Sequence, residues 1–146
     1  MAELEPLLTG GSPNRGQSVF FGKASACATC HAVRGTGAHV GPDLSKIASI
    51  RSGRDLLESI VFPSASYARG YEPYLVQTKD RQVHAGILAA ETPEAIVLRT
   101  PAEVRIPRSS VKMMRQDRVS IMPQGLDTQL SKEELADLLA FLQTMR

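Results

Sequence analysis

A chain of 146 residues, 42% of them hydrophobic, can bury the core of one domain, or of one small domain carrying an insertion. No stretch approaches the ~20 apolar residues of a membrane span, and the acidic start Met1-Ala2-Glu3-Leu4-Glu5 lacks the basic and apolar regions of a signal peptide. The net charge of +2 is unevenly spread, with a balance of +5 over residues 14–54, +4 over 99–118 and −2 over the last 21 residues. No basic run is interleaved with aromatics, which excludes the common pattern of nucleic-acid binding.

Residues 1–13 end in Thr9-Gly10-Gly11-Ser12-Pro13 and are expected to form a tail or linker. Ser12 or Asn14 can cap a helix running to about Phe21, with Val19, Phe20 and Phe21 as its apolar surface. That helix leads into Cys27-Ala28-Thr29-Cys30-His31, the C-x-x-C-H pattern of covalent c-type haem attachment. Each thiol adds across a haem vinyl group to form a thioether, and the residue after the second cysteine lies where an imidazole can bind the iron. A thioredoxin-like pair would need a strand–helix unit that the flanking chain lacks. A structural zinc site would need four ligands, from a chain whose only cysteines and histidines are these three residues, His39 and His84. A disulfide across two residues would close almost no loop. One covalent haem c, held through Cys27 and Cys30 with His31 on the iron, is therefore expected; it would also supply flat apolar volume in a chain only 5% aromatic and without Trp.

Downstream, Gly41-Pro42 reads as a turn. Residues 52–62 read as a short helix, with Leu56, Leu57, Ile60 and Val61 on one apolar face and Pro63 closing it. From Tyr71 the period changes to two. Strands are expected at 74–79, 83–90, 95–99, 104–106 and 111–114, as an antiparallel meander, open or curled into a small SH3-like barrel. The helical pattern resumes at Ser131, where Glu134 completes a capping box ahead of the stripe Leu135, Leu138, Leu139, Phe141 and Leu142.

A second axial ligand has several candidates. Met145 ends a helix whose apolar face is already committed, and Met113 and Met114 lie in a strand where one serves as core filler. His39 and His84 are weaker candidates. Met122 precedes Pro123, which biases it to the extended backbone of a fixed loop. Met122 is the expected ligand, and a thioether there would favour ferrous haem.

The order of these parts resembles class I cytochromes c: a first helix, C-x-x-C-H, a Gly-Pro-x-Leu loop, then a methionine before the last helix. The resemblance implies that the Pro42 carbonyl accepts the free N–H of His31, that Leu44 packs on the haem, and that the last helix crosses the first. A narrower likeness is to the haem-binding domain at the C-termini of large exported proteins of planctomycete- and verrucomicrobium-type bacteria. It rests on Cys27–His31, Val40-Gly41-Pro42-Asp43-Leu44, Leu56–Ile60, Gly70-Tyr71-Glu72, Gly86–Thr92, Ser120–Pro123 and Leu135–Leu142. One departure is Asp80-Arg81, where Asp-Gly is the expected hairpin turn.

The expected architecture is therefore α+β: a class I cytochrome c-like helical core (residues 14–146) around haem, with residues 70–120 as an inserted β meander or barrel. The expected role is single-electron transfer between Fe(III) and Fe(II) with His31/Met122 ligation, outside the bacterial cytoplasm, to a redox partner whose docking face is acidic. The insertion is expected to cover the haem, or else to offer a docking or homo-oligomer surface. A haem enzyme or gas sensor with an open or labile sixth position is the rival reading; a structural or interaction module with haem as its folding core is the third.

Overall fold

The protein is described here from a computed structural model covering residues 1–146. The chain forms two compact units: Met1–Ala65 with Pro123–Arg146, and Ser66–Met122 between them.

The first unit is helical. Helix α1 (Pro13–Phe20) begins at Ser12, whose Oγ accepts the Arg15 amide proton, with Pro13 at the first helical position. Helix α2 (Gly53–Val61) and helix α4 (Lys132–Leu142) both start in full capping boxes, Ser52 with Asp55 and Ser131 with Glu134. Each box satisfies two end amides that the helix itself leaves without partners. Between them, helix α3 is a short turn, Leu126–Gln129, entered through Gly125 at φ +95°.

Helices α1 and α4 cross closely because Gly16 has no side chain at the crossing. A β-carbon there would lie 2.7 Å from Cβ of Phe141, and nearer still to the Asp137 carbonyl oxygen. Fully buried Phe20 packs against Phe141, the rings tilted by 52° with centroids 5.7 Å apart, and Leu135, Leu138, Leu139 and Met145 complete the core. Met145 is thus core. Phe21 turns outward instead and is 39% exposed.

The crossing is pinned by one buried carboxylate. Asp137 accepts the Ser12 amide proton at 2.7 Å and the Arg15 guanidinium at 2.9 and 3.2 Å.

Residues 1–13, expected as a tail, are instead folded onto this unit. Ala2–Leu8 form a 3₁₀ helix packed on α4 and α2, Glu5 pairs with Arg54, and Gly11 meets the backbone of Ala136. Of the two glycines that suggest a linker, Gly11 serves this close backbone approach and Gly10 sits at φ +88°.

A small hairpin, β1 (Ala32–Val33) with β2 (Thr36–Gly37), follows the cysteine motif, its turn made by Arg34 and Gly35 at positive φ.

The second unit is a five-stranded antiparallel sheet of β3 (Pro73–Thr78), β4 (Val83–Glu91), β5 (Ala95–Arg99), β6 (Glu103–Pro107) and β7 (Val111–Gln116). The period-two alternation places these strands to within two residues. The order β6-β5-β4-β3-β7 is a meander only through β6. A 3₁₀ turn at Arg108–Ser110 then returns β7 to pair with β3. Buried Val76, Ile96, Leu98 and Ile106 make its core, with Tyr74, Leu88, Val104, Val111 and Met114 packed against them. Met114 is the core filler of the methionine pair; Met113 is 37% exposed.

Candidate functional site

The segment after α1 is shaped to present two thiols and an imidazole from consecutive turns. Ala26 enters at φ +53°, and Cys27–Thr29 make one 3₁₀ turn in which the Cys27 carbonyl accepts the amides of Cys30 at 3.1 Å and His31 at 2.8 Å. The following loop folds back on the motif: Ala38 donates to the Ala28 carbonyl at 3.0 Å and Gly41 to that of Cys30 at 2.7 Å. Leu44 donates to Ala32 at 2.9 Å, and Val40 is buried beneath.

This loop fixes the histidine. Nδ1 of His31 lies 2.7 Å from the Pro42 carbonyl oxygen, so the ring donates from Nδ1 and keeps its lone pair on Nε2. Gly41 packs flat on the ring; a β-carbon there would sit 2.6 Å from Cε1 and 2.9 Å from Nδ1. Burial lowers the His31 pKa, opposed by the bond to Pro42, so the imidazole is neutral at pH 7. A neutral ring with an oriented Nε2 is the form that ligates a metal.

Cys27 and Cys30 are free thiols, each half-buried. Burial pushes both up in pKa, for Cys27 against a bond from Ser25. A thiol-exchange nucleophile needs the opposite shift.

The donor set fits a covalent haem: two free thiols at the C-x-x-C spacing, followed directly by an imidazole whose second nitrogen is committed to a carbonyl. No group of three or more His, Cys, Asp or Glu is arranged to hold a bare metal ion.

The structure thus brings Cys27, Cys30, His31, Pro42 and Leu44 together in the first unit, with Leu44 half-buried. Met122 is the last residue of the second unit, half-buried, its amide donating to Ser120 Oγ at 3.1 Å. The ring-packing role of Gly41 is not legible in the sequence, where Gly-Pro signals only a turn. The signal that could have found it is a glycine beside a carbonyl that must approach an imidazole.

No curated protein matches the chain. The family model described as Cytochrome c matches residues 13–146, from the first residue of α1 to the last of the chain. With the C-x-x-C-H motif, the oriented histidine and the α1–α4 crossing all inside that span, the chain belongs to the cytochrome c family.

Proposed function

We propose that the protein is a monohaem electron carrier, with haem c joined through Cys27 and Cys30 and the iron held between His31 and Met122. The observation that carries this reading is the 2.7 Å pairing of His31 Nδ1 with the Pro42 carbonyl, which leaves Nε2 as the free donor next to two unpaired thiols. Cytochrome c domains are typically electron carriers. The haem supplies a single-electron Fe(III)/Fe(II) couple. The residues supply the rest: Cys27 and Cys30 anchor, Pro42 and Gly41 hold the imidazole plane, Leu44 offers apolar cover, and Met122 gives a soft sulfur that favours the ferrous state.

Several finer features go with this reading. Residues 70–120 are an insertion into a class I plan, supported by the compact unit Ser66–Met122 that interrupts the helical one. The likeness to planctomycete- and verrucomicrobium-type exported domains supports a periplasmic or other extracytoplasmic location, and no helix is long and apolar enough to cross a membrane. The basic balance of residues 14–54 supports an acidic redox partner.

The test is the absorption spectrum of oxidised and reduced protein, native against Met122→Ala. The weak long-wavelength ferric band of a sulfur–iron bond is expected in the native protein and absent from the variant. A native protein without that band that binds carbon monoxide rapidly would instead be a haem enzyme or gas sensor.

A further inference from the structure

The second unit carries a face whose composition matches neither a core nor an ordinary solvated surface. The pairing register sets Leu75 opposite Ala85 and Arg115, and Gln77 opposite Val83 and Met113. Residues directly opposite in antiparallel strands share a face. These six therefore lie together on β3, β4 and β7, on the side away from the Val76 core. Val83 is 59% exposed and Met113 37%, with Leu75 and Ala85 half-buried between them.

Around this apolar centre the charges are segregated. At the β5–β6 end of the sheet two of the three arginines are internally paired, Arg99 with Glu103 and Arg108 with Glu91, and Arg105 is the one left exposed without an ion pair. At the β3–β7 end, Lys79, Arg81, Lys112, Arg115 and Arg118 are all exposed and form no ion pair. The three acids on that side are engaged locally, Glu72 with the Gly70 amide, Asp80 with Thr78 and Asp117 with the amides of Arg118 and Val119. The free backbone edge of β7 is not the attraction. A register shift at Thr78 makes Lys112 a bulge, which blunts the edge against strand addition. The open part of the face is its Leu75–Gln77 end; towards β5 the same side is covered, with Pro73, Ile87 and Val97 buried.

We propose that the outer face of β3, β4 and β7 docks an acidic protein surface: aliphatic contacts at Leu75, Val83 and Met113, with carboxylates of the partner meeting Arg115, Lys112 and Lys79. An apolar centre inside a charged rim is the usual anatomy of a specific protein interface. A nucleic acid is disfavoured because the face offers no aromatic ring on which a base could stack. The proposal is independent of the haem ligation, and its test reads binding, not electron transfer.

The probe is a synthetic twelve-residue peptide alternating Glu and Leu, titrated into ¹⁵N-labelled haem-loaded protein. Amide shift changes are expected on β3, β4 and β7 around Leu75, Gln77, Val83 and Met113. Affinity should fall about tenfold in Met113→Asp and again in Arg115→Glu, as for central interface residues. Both positions are exposed, and an unchanged far-ultraviolet dichroism spectrum checks the fold. No binding, shifts confined to other surfaces, or unchanged affinity in both variants would overturn the proposal. So would tighter binding of a twelve-nucleotide oligo-dT to the same face, which would make the occupant a nucleic acid.

Discussion

Gly16 of α1 and the backbone of Asp137 in α4 approach so closely that not even a methyl group fits between them. Two effects of opposite sign compete in Gly16→Ala. Helix propensity alone favours the alanine by about 1 kcal/mol, whereas overpacking a tight contact costs about 1–3 kcal/mol. The obstructing atoms are backbone, which cannot rotate away, so the steric term wins. A net loss of up to about 2 kcal/mol is expected in urea unfolding of the haem-loaded protein with an unchanged denaturant slope; a gain in stability would refute the close crossing.

The same helix pair predicts an acid limb. The Arg15 guanidinium first, then the Ser12 amide, hold the Asp137 carboxyl below the usual carboxylate range. A depressed folded pKa contributes stability that is complete above the unfolded value and is lost as pH falls through the folded one. Asp137→Asn should therefore be less stable than native by a constant margin above about pH 5, with the margin closing below about pH 4. Some acid slope will persist in the variant, since Asp43, Asp55 and Asp80 are also held low by bonds from Ser45, Ser52 and Thr78. Thermal melts from pH 2 to pH 7 check both points.

At the haem site, Gly41→Ala places a methyl against the His31 ring. The ring or the Gly41-Pro42 loop must move, at about 1–3 kcal/mol, and the Nδ1–Pro42 bond weakens. A less basic imidazole stabilises ferric iron less, so the midpoint potential should rise. A spectroelectrochemical titration reads this directly, and an unchanged potential would show that Pro42 does not tune the histidine.

Arg81 occupies the left-handed region at φ +70°, at the turn position where the likeness leads one to expect glycine. A non-glycine residue there costs roughly 1–2 kcal/mol, and glycine gives back part of the relief through its looser unfolded chain. Arg81→Gly should thus stabilise the second unit by about 0.5–1 kcal/mol. Destabilisation would mean that the arginine side chain makes an interaction that outweighs the strain.

What the sequence revealed follows from how far each signal reaches along the chain. The Ser131–Glu134 capping box and the Leu135–Leu142 stripe mark α4 because cap and period both lie within one helix. The strands of the second unit show for the same reason. The two-residue strands β1 and β2 and the four-residue α3 are too short to carry a period. Joining β7 to β3 is a pairing across more than thirty residues, and no local pattern specifies it. The Arg15–Asp137 bond spans 122 positions, and Asp137 stands on a helix where an acid is ordinarily a solvated one. Within the site, the residue types that haem attachment needs were legible. The packing of Gly41 on His31 was not, since it depends on a backbone approach.

The helical unit is assembled from two pieces separated by the sheet, and this sets a schedule. Cys27, Cys30 and His31 lie directly after α1, but α1 must find α4 across the 122 positions that separate Arg15 from Asp137. Contacts that close a long loop form late. Throughout that interval the sheet, contiguous in sequence, can already fold, while the cysteine motif remains an open and pliable segment. The architecture thereby keeps the attachment residues accessible to whatever delivers the haem until α4 docks on α1.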